Sequence, residues 1–302
     1  MEGHLAKIMY TIKIFNKEIQ VRDYYCQLDE LTPQKISEPY INIYVTITNF
    51  CNANCEFCCN ANNKYNGISF NFEKFKKVVQ EINSNVKINK CSFTGGEPTI
   101  QLDNLKKCLN LIKNTNSEIF TVINTNGTNI DELINLLPLI DSISLSRHHY
   151  NDDVNAEIFH NISVPNTKDI FNFPNKTKLH LSCNLIKEHI GNIKEVIKYL
   201  EWASTTGCND VGFVSLMSIN EYCKNQFVDF NTLNFEEIDN VFITKNWNYQ
   251  NLCRCRNYNY IANNAEIIDV YARYYVNPQY SGNALVFDGQ NLRLGFNGEI
   301  IY

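Results

Sequence analysis

No apolar stretch in this chain of 302 residues reaches the roughly 18 residues that a membrane-spanning helix needs, so a bilayer-embedded class is not expected. Basic residues are not in excess either. There are 27 Lys and Arg against 32 Asp and Glu, a net charge of −5. A polyanion-binding surface needs the opposite balance, so nucleic acid is not an expected partner. The first ten residues carry a basic side chain but lack the long apolar core and small-residue cleavage site of a secretory signal, and a cytoplasmic location is expected. The composition of a disordered chain is missing too: 44% of residues are hydrophobic and 20% charged, enough to build a sizeable core. The length suits one large domain, or one domain with appendages.

Cysteine, in contrast, is abundant. There are twelve: Cys26, Cys51, Cys55, Cys58, Cys59, Cys91, Cys108, Cys183, Cys208, Cys223, Cys253 and Cys255. A disulfide framework belongs to small secreted domains, which this chain does not resemble. Clustered cysteines in a reducing compartment point to metal, and isolated ones to small buried apolar side chains. Four fall between 51 and 59, two at 253 and 255, and six are scattered.

Along the chain, residues 9–15 and 19–25 alternate around Asn16-Lys17 and read as a hairpin. Strands are expected at 41–47, 91–94, 119–123, 140–145, 179–185 and 211–216. Apolar spacing predicts helices at 72–82, 102–112, 131–137 (stopped by Pro138) and 190–203 (with Gly207 past its end). Six strands alternating with helical stretches imply a parallel α/β sheet, open or in a partial barrel, with chemistry at the C-terminal ends of the strands. The expected organisation is an N-terminal hairpin extension over 1–40, a core over 41–217, and an irregular, β-containing C-terminal cap over 218–302.

Just after the first core strand stands Cys51-x3-Cys55-x2-Cys58. Three thiolates on a short loop can hold three irons of a [4Fe–4S] cube and leave the fourth iron open for chemistry. The alternative from the residues alone is a structural zinc site completed by Cys59 or a distant residue. Gly95-Gly96-Glu97-Pro98 follows the second strand and Asn124-Thr125-Asn126-Gly127 the third. With Phe57 before the last cysteine, the triplet resembles the signature of the radical S-adenosylmethionine (radical SAM) superfamily. The Gly-Gly-Glu-Pro segment and the Thr-Asn-Gly turn resemble further motifs of that superfamily, in the expected order. Coverage is about residues 41–217. The branch it most resembles contains the molybdenum-cofactor GTP cyclase and the peptide maturases.

The resemblance implies a partial (β/α)6 barrel and an enzyme that cleaves SAM reductively at a [4Fe–4S] cluster, giving a 5′-deoxyadenosyl radical that abstracts hydrogen from substrate. It implies Cys51, Cys55 and Cys58 as cluster ligands. Gly95 and Gly96 would approach the SAM amine, Glu97 would support strand-edge hydrogen bonds or the ammonium, and Pro98 would fix the turn. Thr125 and Asn126 belong to the same expected cofactor site. So do Ser144, Asn184, and the apolar pair Leu216 and Met217 as an adenine wall. A one-electron donor such as a flavodoxin or ferredoxin is an expected partner.

On the substrate side, Arg147, His148 and His149 follow the fourth strand and are expected at the mouth, as an anion or carbonyl contact and as proton-handling or hydrogen-bonding groups. Cys253-Arg254-Cys255-Arg256 is Cys-x-Cys, not Cys-x2-Cys, and no cysteine follows it, so a second iron–sulfur cluster is not expected. The two arginines are the alternative there, as phosphate or carboxylate contacts. Tyr258, Tyr260, Tyr271, Tyr274, Tyr275 and Tyr280 read as strand packing more than as a pocket lining. The short N-terminal segment and the missing cysteine-rich extension favour a small-molecule or nucleotide substrate. The rivals are modification of a ribosomally made peptide, and a non-catalytic iron–sulfur or zinc protein.

Overall fold

The computed structural model describes residues 9–22, 39–60, 69–160, 162, 177–235, 242–244, 256–273, 284–296 and 298–302. Cys26, Cys253, Arg254, Cys255, Tyr274, Tyr275 and Tyr280 lie outside them, as does the side chain of Arg256.

The chain opens on a hairpin of β1 (Met9–Ile14) and β2 (Lys17–Arg22), paired so that Ile14 faces Lys17. The turn is therefore Phe15-Asn16, one residue earlier than expected, and both residues have positive φ. That is the type I′ geometry, whose twist matches the strands it joins. Ile12, Ile14 and Ile19 are buried.

Among the described residues the core is an eleven-stranded sheet. Its centre is β3 (Tyr40–Thr48), β4 (Lys87–Gly95), β5 (Phe120–Thr125), β6 (Ser142–Ser146), β7 (Lys178–Leu185) and β8 (Asp210–Ser215), parallel and adjacent in chain order. These are the six expected strands. Two more parallel strands extend the set. β11 (Ile267–Arg273) pairs with β8, and β12 (Ala284–Phe287) pairs with β3. Antiparallel strands finish the margins: β9 (Phe242–Thr244) and β10 (Arg256–Ile261) beyond β11, and β13 (Leu292–Leu294) beyond β12. Among the described residues the sheet stays open, because β9 and β13 do not pair with each other. The segment expected to cap the barrel thus supplies strands to both margins of the core sheet.

Helices cover one face. α1 (Phe72–Asn85) is capped by Asn71, whose side chain accepts from the Lys74 amide, and buries Phe75, Val78, Val79 and Ile82. α2 (Leu102–Thr115) buries Leu105, Cys108, Leu109 and Ile112. α3 (Asp152–Ile158) is short. α4 (Ile193–Thr206) starts three residues later than expected because Asn192 caps it, and it ends at Gly207 in the left-handed conformation. α5 (Glu221–Asn225) follows β8. Residues 131–137 do not form the expected α-helix. Ile130–Leu139 is a 3-10 helix with Pro138 inside it. Ile130, Leu133 and Leu136 are buried at a spacing of three, the period of that helix.

The opposite face is concave and polar. Alternation puts Ile143 and Leu145 of β6 under the helices, while Ser144 and Ser146 face the other way and are half-buried; His180, Ser182 and Asn184 of β7 repeat the pattern. Cys91, Cys108, Cys183, Cys208 and Cys223 are buried, which matches the packing role expected of isolated cysteines. Among the described residues no helix is long and apolar enough to cross a membrane.

Candidate functional site

The loop after β3 holds Cys51, Cys55 and Cys58, all half-buried, with Cys59 exposed. It is tied down from several sides. The Cys58 amide donates to the Cys55 carbonyl at 3.1 Å, closing a turn between the last two thiols. The Asn54 amide donates to the Phe159 carbonyl at 3.3 Å. Asn220, which caps α5, donates to the Glu56 carbonyl at 2.8 Å. Asn60 reaches back to the Gly95 carbonyl at 2.8 Å. Neither asparagine was identifiable from the sequence, because an Asn in a loop carries no signal of its distant partner.

The Gly95-Gly96 step is built around this loop. The Gly96 amide donates to the Thr48 carbonyl and the Glu97 amide to the Phe50 carbonyl, both at 2.7 Å. A Cβ on Gly96 would lie 2.0 Å from the Phe50 carbonyl oxygen. One on Gly95, where φ is +131°, would lie 2.2 Å from that of Thr48. The glycines therefore make room for the cysteine loop's own backbone. That requirement comes from the loop crossing, which the motif alone does not reveal.

Glu97 is 1% exposed. Its Oε1 accepts from the Thr99 amide (3.1 Å) and from the hydroxyls of Thr99 (2.7 Å) and Thr125 (2.8 Å), and its Oε2 accepts from the Asn126 amide at 2.7 Å. Burial pushes its pKa up, and these donors pull against that shift. Of the two expected roles, support of neighbouring strand ends is the one its contacts match: the carboxylate joins the ends of β4 and β5 and does not face an open site. Pro98 starts the short 3-10 turn Pro98–Gln101. Asn126 is buried against the cysteine loop, with Nδ2 2.8 Å from Asn52 Oδ1 and 3.9 Å from Cys51 Sγ.

His148 is buried between Phe57 and Phe159, with ring centroids 4.9 and 5.0 Å away. Its Nδ1 accepts from the Asn184 amide at 3.0 Å. Burial, then Arg147, push its pKa down to about 3. Of the two expected roles, hydrogen bonding is the one its contacts match, and burial keeps the imidazole neutral near pH 7. Phe57 also packs against a small apolar cluster of Ile158, Ile186, Leu216 and Cys223, so Leu216 is a buried packing residue next to the cysteine loop. Met217 beside it is half-buried.

Arg147 does not face the mouth. Arg147 is completely buried on the helix side of β6, in line with Ile143 and Leu145. It pairs with Asp152, donates to the His149 carbonyl at 2.8 Å, and sits 5.2 Å from the Trp202 ring centroid. The alternation that carries Ser144 and Ser146 inward carries Arg147 outward. His149 lies beside Tyr150 and His189, 4.3 and 6.1 Å away, where burial and His189 lower its pKa.

The concave face holds a group that sequence reading missed. His180 Nδ1 lies 2.9 Å from Asp210 Oδ1, Tyr271 donates to Asp210 Oδ2 at 3.2 Å, and the Tyr271 and His180 rings stack at 5.1 Å. A carboxylate only accepts, so Nδ1 carries the proton and Nε2 is left for another partner. Gly212 makes the space: a Cβ there would be 2.8 Å from His180 Nε2. The alternation of β7 was the available signal for His180, while Asp210 and Tyr271 reach it only through strand pairing. Ser144 lies in register with His180 on the neighbouring strand. Tyr258 and Tyr260 are buried, as packing residues should be.

The three half-buried thiols on one loop are the residues that could hold an iron–sulfur cluster. Among the described residues, no three His, Cys, Asp or Glu side chains meet as a single metal ion would require. Three thiols on one loop are a donor set that fits three irons of such a cube.

The family model of the radical SAM superfamily matches residues 45–230, more than half of the chain. A protein of Thermoplasma volcanium named "Probable GTP 3',8-cyclase" is 27% identical over 135 residues, 43% of this chain and 39% of that protein. One of the same name from Saccharolobus islandicus is 24% identical over 188 residues, 60% of this chain and 59% of that protein. The chain thus spans about half the length of the curated relatives it matches. The crystal structure of Streptococcus suis SuiB bound to S-adenosylmethionine shares the fold, with a TM-score of 0.57 at 13% identity over 86% of this chain and 62% of that one. With the thiol loop, the Gly-Gly-Glu-Pro crossing and the parallel sheet in place, the chain belongs to the radical SAM superfamily of enzymes.

Proposed function

We propose that this chain is a radical SAM enzyme acting on a polar small molecule or nucleotide at the concave face of its sheet. One observation carries the reading: three half-buried thiols lie on a loop whose backbone crosses Gly95 and Gly96 so closely that neither glycine tolerates a side chain. Cys51, Cys55 and Cys58 would hold a [4Fe–4S] cluster and leave one iron open. When bound, the cluster and S-adenosylmethionine supply one-electron cleavage of the sulfonium, yielding a radical able to abstract hydrogen. The relatives named GTP 3',8-cyclase favour a nucleotide or other small-molecule substrate.

The chain's own residues divide the remaining work. Glu97 and Asn126 hold three loops at a common point. Phe57, His148 and Leu216 form a dry wall beside the thiols, and His148 adds no charge to it. Ser144, Ser182, Asn184 and the His180–Asp210–Tyr271 group line the concave face. His180, with Nδ1 held by Asp210, presents Nε2 to a polar substrate group and replaces Arg147 as the substrate-side group of choice. It stands four residues below Asn184, about 13 Å at 3.3 Å per residue. A small one-electron donor protein would supply the reducing electron.

The test is iron and sulfide per chain after anaerobic reconstitution, in the wild type and in a Cys51/Cys55/Cys58→Ala variant. The expected result is about four irons, lost in the variant, with SAM-dependent 5′-deoxyadenosine released on reduction. Zinc in place of iron, or a reduced cluster that leaves SAM intact, would sink the proposal.

A further inference from the structure

Asn126 joins three loops that are far apart in the sequence. Its backbone amide is bonded to Glu97, and its Oδ1 accepts from the Thr128 amide (3.0 Å) and hydroxyl (2.8 Å). Two donors on Oδ1 settle which end of the amide is oxygen. Nδ2 therefore points to the cysteine loop, with Asn52 Oδ1 at 2.8 Å and Cys51 Sγ at 3.9 Å, within reach of an N–H···S bond. Asn52 is itself held, donating to Thr128 Oγ1 at 2.8 Å. The buried Asn126 side chain thus has little freedom to turn away from the sulfur.

We propose that Asn126 is a positioning residue that raises the reduction potential of the cluster, by donating a hydrogen bond from Nδ2 to the Cys51 thiolate. Reduction adds negative charge to the cluster, and part of that charge falls on its sulfurs. An N–H dipole aimed at one of them favours the reduced state more than the oxidised state. Water is a poor substitute at this buried position, so the dipole's effect is weakly screened. The consequence is functional. Electron entry from a weak donor gates everything that follows, and the amide makes that entry easier. Nδ2 carries two hydrogens, one for Asn52 Oδ1 and one left for the sulfur, so the loop contact does not use up the donor.

The inference rests on the proposed [4Fe–4S] cluster, and the experiment separates the two. The anaerobically reconstituted full chain would be titrated reductively by electron paramagnetic resonance as wild type, Asn126→Ala and Asn126→Asp, with iron counted in each. Asn126→Asp keeps the shape and the acceptor for Thr128 but replaces the donor by an anion, so an unlowered midpoint in it overturns the role even if the alanine variant fails to retain iron. The expected result is full iron and a lowered midpoint, with wild type highest and Asn126→Asp lowest. At the wild-type midpoint, the reduced-to-oxidised ratio of Asn126→Ala should fall at least about threefold, roughly 30 mV for one electron at 59 mV per decade. Equal midpoints with full iron in all three would overturn the role of Asn126. A wild type that forms no iron–sulfur cluster would overturn the underlying reading as well, and that failure shows before any variant is compared.

Discussion

Glu97 has more hydrogen-bond donors around it than a surface carboxylate would, and every one comes from the segments at the ends of β4 and β5. Glu97→Gln replaces one acceptor oxygen by an NH2 that must face a donor. It should cost about 2–3 kcal/mol in urea unfolding, since a buried donor left without its acceptor carries its full desolvation penalty. An unchanged midpoint would show that the carboxylate is dispensable. His148 gives a pH signature. The unfolded chain takes up its proton near 6.5 and the folded chain only near 3, so the unfolded state binds more protons in between. Stability present above pH 6.5 is lost as pH falls toward 3. His149 and His189, also depressed by burial, act in the same direction. Melting temperatures compared between pH 7 and pH 5 should fall for the wild type. They should fall less for His148→Leu, which starts lower because the Asn184 amide has lost its acceptor. Equal slopes would exclude His148 as a source.

At the level of elements, close approaches and turns decide more than propensity does. In Gly96→Ala the new Cβ meets backbone atoms, which cannot swing aside as a flexible side chain can. The cysteine loop must move, so iron uptake should drop several-fold while far-ultraviolet circular dichroism stays near wild type. Full iron uptake would mean that the crossing is more tolerant than its geometry. The β1–β2 turn places Phe15 at a φ of 48°, unfavourable for a bulky residue. The ring stacks on Tyr302 at 3.8 Å, and the Phe15 amide donates to Glu81 at 3.0 Å. Phe15→Asn suits the turn better but removes the stack. A net loss of about 1 kcal/mol is expected, because such ring pairs are worth roughly 0.5–1.5 kcal/mol beyond area burial. A gain in chemical unfolding would show that the turn dominates.

For the molecule as a whole, the C-terminal strands β12 and β13 belong to the core. β12 hydrogen-bonds to β3, and Phe287 is completely buried against Phe70 and Phe75, at 5.5 and 5.2 Å. Lys17 and Glu299 form only an exposed ion pair, which adds little. Truncation before Ala284 would expose the edge of β3 and the aromatic cluster beneath it. Such a chain should bind a hydrophobic dye and lose its cooperative melt. A cooperative melt like that of the full chain would show β12 to be an accessory strand.

The six central strands, the thiol loop and the family were legible in the sequence because each rests on local information. A β-branched run, a helical apolar stripe, or three cysteines at fixed spacing states its meaning within a dozen residues. Even there, β4 proved longer than 91–94, because Lys87 to Lys90 lack the apolar signal while still pairing with β3. Only the tertiary structure decided what depends on which segments meet. It turned Arg147 under the helices and away from the mouth, because strand alternation continues one residue past β6, where the Arg147 amide still bonds to the Ser182 carbonyl. It paired the C-terminal strands with both margins of the sheet. It set Asp210 and Tyr271 beside His180, and Asn126 beside Cys51, across separations over which a sequence carries no distance.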